Sequence, residues 1–142
     1  MNPRWQLGKS DVREYLESLR RMRVIRYHNG DLYIGEYKKP KGETELRPED
    51  IIKHGKGTLL FHKNTDIYSG DFNYNSKDGR GFLRLRGTYE YEGEVKNGAA
   101  HGWGRQSWAD GSSYVGSFDH NRKSGKGVYT FANGNVYEGE WS

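Results

Sequence analysis

The sequence has no cysteine and only three prolines and two methionines in 142 residues. Without cysteine the chain forms no disulfide and offers no thiolate as ligand or nucleophile. No apolar run approaches the roughly 18 residues of a membrane-spanning helix, and Met1 to Lys9 lacks the apolar stretch of a secretory leader. Hydrophobic residues are also scarce, at 32%, with a mean hydropathy of −1.08, too few for a thick core. Together these absences predict a single cytoplasmic domain whose stability comes from something other than a large aliphatic interior.

Glycine and tyrosine are abundant instead, with 20 and 11 copies. Tyr68, Tyr91, Tyr114 and Tyr137 stand 23 residues apart, each followed two positions later by Gly70, Gly93, Gly116 or Gly139. A fixed period marks a repeat protein. Laid over one another, the copies read Tyr-x-Gly-x-aromatic, then Gly-x-Gly, then an aromatic or leucine and a second glycine turn. Examples are Tyr114-Val-Gly-Ser-Phe118 followed by Ser124-Gly-Lys-Gly127 and Phe131. An earlier copy, Tyr33-Ile-Gly-Glu-Tyr37, regains the period when 11 residues are removed before Gly55-Lys-Gly57. The organisation predicted is an N-terminal segment over 1–23, then an array over 24–142. That array has about four full units, half units at both ends, and an inserted loop at about 40–53.

In Tyr-x-Gly-x-aromatic the three named residues are two apart, so they share one face of a strand. Links such as Lys96-Asn97-Gly98 and Ala132-Asn133-Gly134 are hairpin signals, because asparagine and glycine tolerate positive φ. Glycine recurring inside strands predicts that another group approaches the backbone, and the neighbouring tyrosine ring is the expected visitor. Charge occupies the opposite parity. Glu36, Asp71, Glu94 and Glu140, with Lys56, Arg80 and Lys126, are placed to pair across strands, while Ser117 and Trp103 break that pattern.

These units resemble MORN repeats (membrane occupation and recognition nexus), whose motif runs Tyr-x-Gly-x-Trp, a glycine turn, then His-Gly-x-Gly. His54-Gly-Lys-Gly57 and His101-Gly-Trp-Gly104 carry the histidine, Asp78 and Ser124 replace it, and Val95 stands where an aromatic is expected. The resemblance implies an all-β fold, an elongated, single-layer, twisted antiparallel sheet of consecutive MORN β-hairpins, here with a short N-terminal α-helix. It also implies a non-catalytic scaffold or adaptor in cytoskeletal, ciliary or membrane-associated assemblies. Such repeats also occur beside enzyme domains.

The helix is predicted over about 11–22, with Val12, Tyr15, Leu16, Leu19 and Met22 on one face. Ser10 or Asp11 is the expected cap, and Glu14 completes capping-box spacing with Asp11. A dozen residues is marginal alone in water, so the helix is expected to dock, on its own sheet or on a partner.

A one-layer sheet cannot bury both faces, so an aromatic groove is the expected partner site. Its candidate residues are Tyr37, Phe61, Phe72, Trp108, Tyr114, Phe118, Phe131 and Trp141, which suit a helical or extended protein segment. Candidate anionic-lipid contacts are Arg20, Arg21, Arg23, Lys38, Lys39, Arg122 and Lys123, consistent with a net charge of +4. The alternative function is therefore a phospholipid-binding, membrane-targeting module. A second copy is a further candidate partner, because Trp141 ends half a unit and leaves an edge strand. Nucleic acid is not expected, since no reading module accompanies the charge.

No catalytic residues, cofactor or metal are expected. The five histidines are scattered, and His28, His62 and His120 lack zinc-ligand spacing. Gly-x-Gly lacks the strand-to-helix context of a phosphate loop. The insertion mixes Glu43, Glu45, Arg47, Glu49 and Asp50 and is expected to project from the sheet as a solvent loop or specificity element.

Overall fold

The computed structural model describes residues 8–42 and 45–142. The reading of a missing leader rests largely on 1–7, and Glu43 belongs to 43–44; both lie outside the described residues. One helix, α1 (Lys9–Arg21), precedes ten strands. These are β1 (Met22–Arg26), β2 (Leu32–Lys38), β3 (Ile52–Phe61), β4 (Asp66–Asn73), β5 (Ser76–Leu85), β6 (Tyr89–Lys96), β7 (Ala99–Trp108), β8 (Ser113–Asp119), β9 (Arg122–Thr130) and β10 (Val136–Trp141). They lie in one antiparallel sheet in chain order, from β1 at one edge to β10 at the other. Nine inter-strand steps of about 4.8 Å give a length of roughly 43 Å.

One row crosses the whole sheet and a second crosses it from β2 to β10. Ile25, Tyr33, Leu59, Tyr68, Leu83, Tyr91, Gln106, Tyr114, Tyr129 and Tyr137 are register partners from β1 to β10. Beside them run Gly35, Gly57, Gly70, Gly81, Gly93, Gly104, Gly116, Gly127 and Gly139, each opposite the next. The reason for glycine is steric. A Cβ on Gly81 would stand 2.5 Å from Cε2 of Tyr68, and one on Gly104 would stand 2.6 Å from Cε2 of Tyr91. The ring therefore lies flat on the neighbouring strand, and its hydroxyl reaches back to the backbone. Tyr33 Oη donates to the Glu36 carbonyl at 2.5 Å, Tyr68 to Asp71 at 2.8 Å, Tyr91 to Glu94 at 2.5 Å and Tyr114 to Ser117 at 2.9 Å.

The core is built on this row together with Phe72, Val95 and Phe118, which stand two residues after Gly70, Gly93 and Gly116. Phe72 stands edge-on between Tyr33 and Tyr68, with centroids 5.4 and 5.1 Å away. Phe118 stands likewise between Tyr91 and Tyr114, at 5.2 and 5.1 Å. Each such pair contributes about 0.5–1.5 kcal/mol beyond area burial. Rings interlocking from unit to unit thus replace the missing aliphatic interior, and stability accumulates along the array.

The opposite face carries a second repeated device. A β-bulge follows the row glycine, and the next acid accepts a backbone N–H from the following strand: Glu36 from Lys56, Asp71 from Arg80, and Glu94 from Trp103. Lys56 Nζ also meets Asp71 Oδ1 at 2.9 Å. The other two expected cross-strand ion pairs, Arg80 with Glu94 and Lys126 with Glu140, are register neighbours without an ion pair among the described residues. Partial burial pushes the Asp71 carboxyl up, but the Arg80 N–H and the Lys56 ammonium outweigh it and hold its pKa below the ordinary value.

Three local expectations need correction. The cap of α1 is Gly8, whose N–H is accepted by Asp11 Oδ2 at 3.2 Å, so neither Ser10 nor Asp11 is the cap and Met22 belongs to β1. The helix runs beside β1 and β2, and Val12, Leu16 and Leu19 remain 41–49% exposed, so its own sheet covers that face only in part. The insertion does not simply project into solvent. Its Pro48–Asp50 turn is held by Arg47 to Asp50 at 3.1 Å, Ile51 is buried, Leu46 packs on the core, and Lys53 already belongs to β3.

Candidate partner-binding face

The aromatic face divides into a closed part and an open part. Tyr114, Phe72 and Phe118 are buried at 0%, 4% and 3% exposure, so these three candidate groove residues shape the face from beneath and present no surface of their own. Tyr37, Phe61, Trp108 and Trp141 are half-buried, and Phe131 is 47% exposed. At the β7–β10 end the open rings form one cluster. Tyr129 stands 5.8 Å from Trp108, 4.8 Å from Phe131 and 5.9 Å from Trp141, while Tyr137 stands 5.4 Å from Trp141.

The rings carry lysines. Lys53 Nζ lies 4.9 Å from the Tyr27 centroid and 5.7 Å from Tyr33. Lys77 Nζ lies 5.3 Å from Phe61 and 5.5 Å from Tyr68. Lys123 Nζ sits among Trp108, Trp141, Tyr129 and Tyr114, at 5.1, 5.3, 5.7 and 6.0 Å. Burial lowers the pKa of Lys53 and Lys77. These groups occupy one position of the repeat, two residues before the first glycine of Gly-x-Gly, and its fourth occupant is Ala100. The sequence reading passed over the set, placing Lys53 in the insertion and Lys123 among lipid contacts. Parity from Gly55, Gly79 and Gly125 is the signal that places all three lysines on the aromatic face.

Hairpin turns fix this position from behind. Asn75 N–H donates to the Lys53 carbonyl at 2.8 Å, Gly98 to Lys77 at 2.9 Å and Asn121 to Ala100 at 2.9 Å. The two asparagine side chains return the bond, accepting from Lys53 N–H and Ala100 N–H at 2.8 Å. Asn75, Asn97 and Asn121 have φ of 71°, 50° and 69°, a region asparagine tolerates well.

The lipid candidates do not form one surface. Arg20, Arg21, Arg23, Lys38 and Lys39 gather where α1 meets β1 and β2, whereas Arg122 and Lys123 begin β9, seven strands from β2. Arg23 lies 5.7 Å over the Tyr37 ring, Lys38 bonds the Tyr74 hydroxyl at 3.1 Å, and Arg21 approaches Glu36 at 3.9 Å. Among the histidines, sheet register does what spacing did not: His101 and His120 both face Asp119, at 3.5 and 2.5 Å. Ligand atoms of the three lie within 4.8 Å of one another, on an exposed turn.

The MORN repeat family matches residues 50–65, 68–86, 91–113 and 114–136, which is more than half of the chain. The chain belongs to the MORN repeat family. Its four matched MORN units span β3 to β9, and a non-catalytic repeat module is what this membership supports. No curated protein matches the chain. No helix among the described residues is long and apolar enough to cross a membrane.

Within the third matched unit, 91–113, the repeat pattern lapses twice. Val95 replaces the edge-on aromatic and Ala100 replaces the lysine, and they face each other across β6 and β7. The result is a recess of about 150 Å³ whose lining includes Tyr68, Leu83, Tyr91, Val95 and Ala100, together with the polar groups of Lys77, Gln106 and Asn121. A larger open cleft, about 580 Å³, lies at the irregular turn around Gly87 and reaches the aromatic face only at Leu85, Tyr89 and Trp108.

Proposed function

We propose that this MORN protein is a non-catalytic scaffold or adaptor that binds a protein segment, helical or extended, across its aromatic face. The observation that carries the proposal is the partly open cluster of Trp108, Tyr129, Phe131 and Trp141 on the β7–β10 end of the sheet. Rings locked by their neighbours supply large apolar contact at little entropic cost. Cytoskeletal, ciliary or membrane-associated assemblies are the settings that the family resemblance suggests.

The test is capture by the paired variant Trp108→Ala and Phe131→Ala. Both residues are partly open, so the sheet is expected to persist in circular dichroism while the set of co-purified partners is lost. Unchanged capture by a folded double variant defeats the proposal.

A second reading, contact with an anionic membrane, draws on the gathering of Arg20, Arg21, Arg23, Lys38 and Lys39 at one end. Basic residues near such a surface contribute about 1 kcal/mol each. Sedimentation with phosphatidylserine vesicles at low salt decides it, and absence of binding removes it.

A further inference from the structure

The lysine row is not needed to build the sheet. Ala100 occupies the same repeat position as Lys53, Lys77 and Lys123, and β7 pairs with β6 and β8 in the register its neighbours use. Among the described residues, none of the three ammonium groups makes an ion pair or a side-chain hydrogen bond; rings are their close neighbours, and the Asp31 carboxylate acts on Lys53 from beyond ion-pair distance. An ammonium has three donors, and a ring face attracts the charge without satisfying those donors directionally. Three partly desolvated cations therefore stand on the open side of the sheet, in line along the array.

Their spacing is regular. Lys53 lies on β3, Lys77 on β5, Ala100 on β7 and Lys123 on β9, so successive positions are two strands, about 9.6 Å, apart. Seven residues of helix rise about 10.5 Å, and three residues of polyproline II, one full turn, rise about 9.3 Å. A chain crossing the strands thus presents one side chain to each position in either conformation.

Building on the partner-binding role proposed above, we infer that Lys53, Lys77 and Lys123 are carboxylate subsites and that the recess at Ala100 is an apolar subsite. The partner is an acidic amphipathic protein segment that places acid, acid, large apolar residue and acid against successive units. Charge complementarity selects this occupant over a second copy of α1. At 100° per residue the Val12, Tyr15, Leu16 and Leu19 face of α1 is bordered by Lys9 and Arg20 on one flank and by Asp11 on the other, a net positive rim that would meet like charge.

The test uses synthetic amphipathic peptides of about 24 residues, with the four reading side chains every seventh residue or, in a second set, every third. Each is made with glutamates and one leucine in the inferred order, and again with glutamine in place of glutamate. Calorimetric titration of the full chain is expected to show one glutamate peptide binding far more tightly than its glutamine counterpart, with the advantage shrinking at high salt. Lys53→Met, Lys77→Met and Lys123→Met keep the apolar stem. Each is expected to weaken the glutamate peptide by about tenfold and leave the glutamine peptide unchanged. Lysine to arginine at the same positions retains most of the affinity. Ala100→Lys restores the regular row, so it should weaken the leucine-bearing peptide and favour one with four glutamates.

Equal binding of glutamate and glutamine peptides, both weakened by Trp108→Ala, would leave the aromatic face as the site and overturn the lysine inference. No binding by any peptide would overturn both. Loss of vesicle sedimentation in the triple methionine variant, with peptide affinity intact, would assign the lysines to a membrane. A dimer in light scattering that the triple variant abolishes would assign them to self-association. Either result overturns the inference.

Discussion

Two aromatic rows share the same period and the same face of the sheet, yet they have opposite fates. Tyr33, Tyr68, Tyr91 and Tyr114 are closed over, because each ring leans diagonally onto a glycine of the next strand, Gly57, Gly81, Gly104 or Gly127, and sinks onto its backbone. Phe61, Leu85, Trp108 and Phe131 cover no such gap; the register partner of Phe61 is Asp66, and that of Leu85 and Trp108 is Tyr89. They stay partly open. The comparison teaches that periodicity finds both the fold-forming and the surface rings, and only the diagonal neighbour on the next strand separates them.

The contrast is tested most severely within the closed row. Tyr114→Ala is expected to cost about 3–5 kcal/mol, read as a fall in the thermal midpoint, because it removes a fully buried ring and undercuts Phe118 and Trp141. Gly104→Val attacks the same packing from the glycine side. Its new side chain collides with the Tyr91 ring, and overpacking of this sort costs about 3 kcal/mol.

Alkaline pH probes the closed row without mutation. Burial first, then the nearby Glu94 carboxylate, push the Tyr91 phenol up to about 12, and burial raises Tyr33, Tyr68 and Tyr114 as well. The neutral phenol is the form the fold favours. Its contribution is therefore complete below the unfolded value of about 10 and is lost as pH rises through the folded one. The midpoint should fall between about pH 10 and 12, and tyrosinate absorbance should appear together with unfolding.

In the open row the effect on folding is smaller. Phe131→Ala is expected to cost about 1 kcal/mol, since nearly half of the side chain is already in water. A cost near that of Tyr114→Ala would erase the distinction between the rows. The smallest effect belongs to the opposite face. The folded pKa of Asp71 is depressed, so its stabilisation is present above the unfolded value of about 3.9 and disappears as pH falls through the folded one. Asp71→Asn should cost below about 1 kcal/mol at neutral pH and flatten the acid limb of the stability curve.

Much of this was legible beforehand. The 23-residue period and the parity of Tyr-x-Gly-x-aromatic point to consecutive hairpins and to rings lying over glycines, because both are local consequences of strand geometry. The acid after each row glycine was read as a cross-strand ion partner. Its main role is to accept a backbone N–H at the bulge, which only the three-dimensional offset of the strands creates. Ile51 looked like part of a solvent loop, since removing the insertion restores the repeat, yet its side chain returns to the core. Phe72 and Phe118 looked like surface because their spacing matches that of Tyr37 and Trp141. They are interior because tyrosines from two different units enclose each of them.

The sequence by itself determined the repeat, the strand order and the face on which each residue falls. A strand's alternation is local, and a translational period leaves little choice of neighbour. Tertiary structure decided which rings are open, where Val95 and Ala100 combine into a recess, and that three lysines are held among aromatics. Those outcomes depend on register partners and ring orientations contributed by other strands, and no single stretch of chain contains them.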